Sequence, residues 1–199
     1  MQNRFWKRRL VVTAIAAGAV TLLGMTGFHR YAFGGQAKTS AHIVADLSDK
    51  ILYVYEAGSN EPDMYDIATG KDGYPTPHGA FRIRKLTWNP SWTPPDSKWA
   101  AKKKAAGPGD PKNPMKVVKI FFKEPDYYIH GTDDVGSLGY SESHGCLRMA
   151  PDDVMKVGKW VMDHGGQPQD ENWFMRLLHS RNEEKVIYLS SPVPIRVQD

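Results

Sequence analysis

From His42 onward the chain is cut into short runs of β-branched and aromatic residues by Gly- and Pro-bearing turns. That punctuation points to a mostly β domain. Ile43-Val44-Ala45-Asp46 and Ile51-Leu52-Tyr53-Val54-Tyr55 flank the polar turn Ser48-Asp49-Lys50, which is the pattern of a hairpin. Further strands are expected near Met64 to Ala68, Ala80 to Leu86, Lys116 to Phe122 and Tyr127 to His130. Val186 to Leu189 and Val193 to Val197 read as two closing strands. Helical signals appear only late. Pro151 fits a first turn, Asp152 and Asp153 suit its positive end, and Val154, Val157 and Val161 share one face. A second helix is expected through Trp173, Phe174, Leu177 and Leu178. No internal repeat or low-complexity tract is present.

The 199 residues have room for one domain with a core of its own, and 41% hydrophobic with 24% charged residues is ordinary for a soluble globular protein. The average conceals an uneven N-terminus. Met1 to Arg9 carry Arg4, Lys7, Arg8 and Arg9 and no acid, and Leu10 to Phe28 carry no charge at all. A basic head before an apolar run is an export signal. The run approaches the ~20 residues that span a bilayer, which favours an uncleaved inner-membrane anchor with the remainder outside the cytoplasm. Gly35-Gln36-Ala37 offers an alternative cleavage site. The expected organisation is therefore a signal or membrane anchor over residues 1–30, a linker over 31–41 and a catalytic domain over 42–199. Part of the net charge of +4 belongs to the anchor, so it does not argue for nucleic-acid binding.

An exported chain with one cysteine cannot form an internal disulfide. A lone thiol in an oxidising compartment is a liability unless it reacts for a purpose. Cys146 lies in Ser143-His144-Gly145-Cys146-Leu147-Arg148-Met149, downstream of Tyr128-Ile129-His130-Gly131-Thr132. A nucleophilic cysteine must become a thiolate, and its free thiol titrates near ~8.5. A neighbouring imidazole can take that proton and return it to a leaving group. His130 could serve from a neighbouring strand, and His144 would share a face with Cys146 if the segment were extended. Gly145 lets the backbone turn sharply, and the N–H groups of Gly145 and Cys146 could stabilise an oxyanion. The competing readings are structural histidines, an inert buried thiol, or zinc ligation, for which His-x-Cys with a single cysteine is an unusual spacing.

The segment Ser143 to Met149, preceded by His130-Gly131-Thr132, resembles the signature of L,D-transpeptidase catalytic domains of the YkuD type. Ala45-Asp46-Leu47-Ser48 to Leu52-Tyr53-Val54-Tyr55 resembles their first hairpin. Thr69-Gly70-Lys71, Pro75-Thr76-Pro77-His78-Gly79-Ala80-Phe81 and Asn89-Pro90-Ser91-Trp92-Thr93-Pro94-Pro95 resemble their middle motifs. Ser191-Pro192-Val193-Pro194-Ile195 resembles the closing strand. The resemblance covers roughly His42 to Val197. It implies a β-sandwich-like catalytic domain, here with a C-terminal helical insertion from about Asp163 to Glu184, and no cofactor or metal.

It also implies a substrate, a peptidoglycan tetrapeptide stem carrying diaminopimelate and a terminal D-alanine. Cys146 would attack at the L-centre of diaminopimelate and expel D-alanine. An amine of a second stem or of an envelope protein would then accept the acyl group. His130 would be the base, oriented by the Gly131 carbonyl. Ser143, His144 and Gly145 would line the pocket, and Arg148 would either bind a substrate carboxylate or pair structurally, the structural role being favoured. The alternatives are a hydrolase using the same nucleophile (a carboxypeptidase or amidase) and a non-catalytic wall-binding protein.

The Trp/Pro-rich stretch Thr87 to Pro114 holds Trp88, Trp92 and Trp99. Long irregular loops in compact domains are often functional. These tryptophans either pack the loop onto the sheet or wall the substrate site.

Overall fold

The computed structural model describes residues 40–199; the expected anchor and most of the linker lie outside the described residues. Among the described residues no helix is long and apolar enough to cross a membrane. Within the described residues, ten strands and two α-helices follow one another in the order β1 (His42–Asp46), β2 (Ile51–Tyr55), β3 (Asp63–Asp66), β4 (Thr69–Gly70), β5 (Gly79–Trp88), β6 (Val118–Lys123), β7 (Tyr127–Gly131), β8 (Ser141–Ser143), β9 (Leu147–Met149), α1 (Pro151–His164), α2 (Glu171–His179) and β10 (Lys185–Gln198). Eight strands form one sheet in the order β3-β2-β1-β10-β5-β6-β7-β9, and β4 pairs with β8 in a separate ribbon. β1–β10 and β7–β9 are parallel, and the other neighbours in the large sheet are antiparallel.

The sheet nearly closes on itself. Ile67 N–H extends the β3–β2 ladder to the Lys50 carbonyl, and the next residue, Ala68, exchanges two hydrogen bonds of 3.0 Å with Arg148 of β9. The two edges of the sheet are thus tied together, which removes most of the unpaired backbone that an open sheet would expose.

The expected mostly β fold with a helical part is what the chain adopts. The β1–β2 hairpin forms with Ile43 opposite Val54 and Ala45 opposite Leu52, all four buried. One expectation changes. The two closing strands are a single strand, β10, whose register against β5 shifts between Tyr188 and Val193. Ser190, Ser191 and Pro192 break the apolar alternation in the sequence, and a bulge carries the ladder past that break.

One face of the sheet and helix α1 enclose the core. Ile83, Leu86, Trp88, Ile120, Ile129, Leu147, Met149 and Val154 have no solvent exposure. Burial of each such aliphatic side chain contributes roughly 1.5–3 kcal/mol. α1 begins with Pro151 at its first position and Asp152 and Asp153 in its first turn, and it buries Val154, Val157, Gly158, Val161 and Met162. α2 starts where the Asp170 carboxylate accepts the Trp173 N–H at 2.7 Å, and Phe174 packs edge-on to Trp88 at 5.5 Å. Among the described residues the opposite face of β6, β7 and β9 carries no helix, and the site lies there.

Candidate active site

Strand alternation and register assemble the site. Ile129 pairs with Leu147 and His130 with Arg148 across the parallel β7–β9 pair, so Cys146 stands beside Tyr128. Ile129, Leu147 and Met149 point into the core. Tyr128, His130, Cys146 and Arg148 therefore project to the other face, because side chains alternate along each strand. Lys119 lies opposite His130 across the β6–β7 pair, on that same face. These residues line a cavity of about 1500 Å³, roofed by the loop over residues 89–117.

The turn that presents Cys146 is held by one hydroxyl. Ser143 Oγ donates to the Cys146 carbonyl at 2.6 Å and accepts the Gly145 N–H at 3.0 Å. Gly145 sits at φ +109°, and a Cβ there would lie 2.9 Å from the Tyr127 ring and 3.4 Å from the Pro75 carbonyl oxygen. Only glycine fits both the dihedral and the space. The motifs upstream brace this turn: Lys71 N–H donates to the Ser143 carbonyl at 3.1 Å, and Gly70 N–H to Thr76 Oγ1 at 2.8 Å. Because Ser143 engages the Gly145 N–H, that group is not free for an oxyanion. No hydrogen bond from the Cys146 N–H is present among the described residues.

His130 is buried, and its Nδ1–H donates to the Gly131 carbonyl at 2.7 Å. That bond fixes the tautomer and leaves Nε2 as the basic nitrogen. Burial brings the imidazole down to about 4, against the pull of the Gly131 and Pro114 carbonyls toward the charged form. Burial likewise pushes the Cys146 thiol up to about 11. The N–H and phenol of Tyr128 and the cations Lys119 and Arg148 oppose that rise. Cys146 Sγ–H donates to the Asp126 carbonyl at 3.3 Å, and it makes no hydrogen bond with His130. Burial thus disfavours the charged form of each group and favours a neutral thiol and a neutral imidazole.

The other expected residues are placed as follows. His144 lies between Trp99, stacked at 3.9 Å, and Tyr74, edge-on at 4.8 Å. Arg148 anchors the Ala68 bridge with its backbone and reaches Asp134 at 4.0 Å with its side chain. Gly131 is buried, with Lys116 Cβ only 3.0 Å from where its own Cβ would be.

The three tryptophans divide their work. Trp88 has no solvent exposure and donates to the Met162 sulfur at 3.1 Å, and Trp92 is buried in the loop, which Asn113 pins to the Pro90 and Gly107 carbonyls. Only Trp99 reaches the cysteine turn. Sequence reasoning missed Tyr128 and Lys119. Tyr128 was legible in principle, since a residue two before His130 on a strand must share its face. Lys119 depends on pairing between strands and left no local signal.

Residues 40–193 match the YkuD family, described as the L,D-transpeptidase catalytic domain. The chain belongs to that family, which is a family of enzymes. It is 32% identical over 120 residues to "Probable L,D-transpeptidase YbiS" of Escherichia coli K12, covering 56% of this chain and 39% of the relative. It is 31% identical over 129 residues to "Probable L,D-transpeptidase ErfK/SrfK" of Salmonella typhimurium, covering 61% and 40%. The chain thus spans about two fifths of the length of these curated relatives. A solved catalytic domain from an E. faecium L,D-transpeptidase is similar over 82% of this chain and 99% of that one, at 17% identity and a TM-score of 0.47.

Proposed function

We propose that the chain is a peptidoglycan L,D-transpeptidase that works through a Cys146 acyl-enzyme, and that residues 42–199 are its catalytic domain. What carries this reading is the β7–β9 pairing, which sets the Cys146 thiol and a tautomerically fixed His130 on one face of one cavity. Cys146 Sγ attacks the donor carbonyl, and its proton passes to His130 Nε2. The tetrahedral oxyanion is held at the Cys146 N–H. When the intermediate collapses, the C–N bond breaks, His130 returns the proton to the leaving amine, and a thioester remains. An acceptor amine then attacks the thioester, loses a proton to His130, and frees the thiol. The donor is a tetrapeptide stem that loses D-alanine, and the acceptor is a second stem or an envelope protein. Four basic residues before an apolar run support a periplasmic location with an inner-membrane tether.

Mass spectrometry of products from the full chain, purified tetrapeptide muropeptides and an added D-amino acid tests this. Exchange or cross-linked products should appear with released D-alanine, and Cys146→Ala should abolish both. Tripeptide alone at every acceptor concentration would show a hydrolase. Unchanged muropeptides with retained binding to sacculi would show a wall-binding protein. Either result would overturn the transferase reading.

A further inference from the structure

Several cations outside the cysteine motif line the cavity, Lys103, Lys104, Lys112 and Lys116 among them, and the one carried by the sheet itself is Lys119. It projects from β6 directly opposite His130. Its ammonium donates to the Ser91 carbonyl at 2.7 Å and stands 5.2 Å over the Tyr128 ring. No carboxylate lies within 4 Å of it among the described residues; its attraction to Glu184 acts at longer range, and Glu184 is itself occupied by the N–H and hydroxyl of Ser91. Burial holds the ammonium below the ordinary lysine range. An ammonium has three donors. Here one is spent on the Ser91 carbonyl, and the charge stands at the cavity wall without an ion-paired side-chain carboxylate among the described residues. Such a group is expensive to desolvate unless an anion completes it.

The order of strands says which anion. Moving across the sheet, Cys146 stands beside β7, His130 on β7, and Lys119 on β6. A base that protonates the leaving amine must hold that amine on the His130 side of the sulfur. The α-carboxylate of a leaving amino acid begins two bonds beyond its nitrogen. That reach, about 2.5 Å to the carboxyl carbon, together with a hydrogen bond of about 2.8 Å beyond the carboxylate, covers the roughly 4.8 Å that separates neighbouring strands. Arg148 is less suited, since it lies on the β9 side and is directed toward Asp134. We propose that Lys119 is the subsite for the free carboxylate of the departing C-terminal residue, so that the enzyme selects donors ending in one amino acid with an ionised carboxyl group. This rests on the acyl-transfer reading above.

The experiment compares two donors, a disaccharide tetrapeptide ending in D-alanine and the same molecule ending in D-alaninamide, with the full chain and its Lys119→Met and Lys119→Arg variants. Lys119→Met should lower kcat/KM for the carboxylate donor by about 10- to 100-fold, mostly through KM, as expected for losing a hydrogen bond to a charged group. The amide donor should change little, and Lys119→Arg should recover much of the loss. An equal fall for both donors would mean that Lys119 only anchors the loop through Ser91 and would overturn the proposal, as would no fall for either. Absence of any acyl-enzyme by intact mass with the wild-type chain would overturn the acyl-transfer reading and this inference together. The equal-fall result removes only the inference.

Discussion

The indole of Trp99 stacks on the imidazole of His144 with ring centroids 3.9 Å apart and planes inclined by 15°. Tyr74 meets the same imidazole edge-on from the turn that follows β4. A loop that begins after β5 is thereby fastened to the turn that carries the cysteine. His144 is two residues from Cys146, yet its ring is clamped between aromatics, while His130 is buried with its Nδ1–H on the Gly131 carbonyl. The two histidines are separated by environment.

Trp99→Ala should open that clamp. An aromatic pair contributes about 0.5–1.5 kcal/mol beyond its buried area. The ratio of hydrolysis to transfer should therefore rise, by roughly 2- to 10-fold, as water competes better for the thioester. Tripeptide and exchange product quantified from the same reaction give the ratio. A ratio equal to wild type would mean that Trp99 only packs.

His130→Ala should slow thiol acylation by about 10²–10⁴-fold, the usual loss of a general base. His144→Ala should cost less. Single-turnover acylation followed by intact mass orders the two, and a worse His144 variant would reverse the roles.

Burial of the thiol and the imidazole fixes two pH dependences. The thiol titrates at about 11 in the folded chain and near ~8.5 when unfolded. Its contribution to stability is present below ~8.5 and is lost as pH climbs toward 11. Alkylation by iodoacetamide should accordingly still be rising above pH 9. His130 titrates at about 4 folded and near ~6.5 unfolded. Its contribution is full above ~6.5 and is lost as pH falls toward 4, on the order of 3 kcal/mol in total. Urea midpoints at pH 7 and 4.5 should differ less for His130→Asn than for wild type. Equal differences would show that His130 is not the buried titrating group.

Ser143→Ala removes the one hydroxyl that bonds both the Gly145 N–H and the Cys146 carbonyl. Leaving buried backbone groups unsatisfied costs about 1–3 kcal/mol. Melting temperature should fall, and kcat should fall further than stability explains, because the turn that aims the sulfur loosens. A variant with full kcat would assign Ser143 to folding alone.

Gly145→Ala should inactivate the enzyme more thoroughly than its size suggests. The methyl would meet the Tyr127 ring at 2.9 Å in a backbone conformation that L-residues avoid. Strain of this kind costs about 1–3 kcal/mol, and relief would move Cys146. Acylation rate and unfolding midpoint measured together should both drop.

The sequence by itself determined the β hairpins, the helix opening at Pro151, and the seven residues around Cys146. These depend on local rules: alternation of period two, turn chemistry, a proline at a first turn, and a motif whose residue types leave few chemical options. Even the bond from His130 to the Gly131 carbonyl was expected, through the resemblance, since it joins adjacent residues. What crosses between distant segments was not legible. The parallel β7–β9 pairing, the closure through Ala68 and Arg148, the merging of the last two strands into β10, the placement of Lys119 beside His130, and the choice of Trp99 rather than Trp88 or Trp92 as the ring stacked on His144 all arise from tertiary packing. Register between strands is set by which faces can be buried together, and that sum runs over the whole sheet. No single segment contains it, so only the folded chain could decide which cation and which ring meet the cysteine.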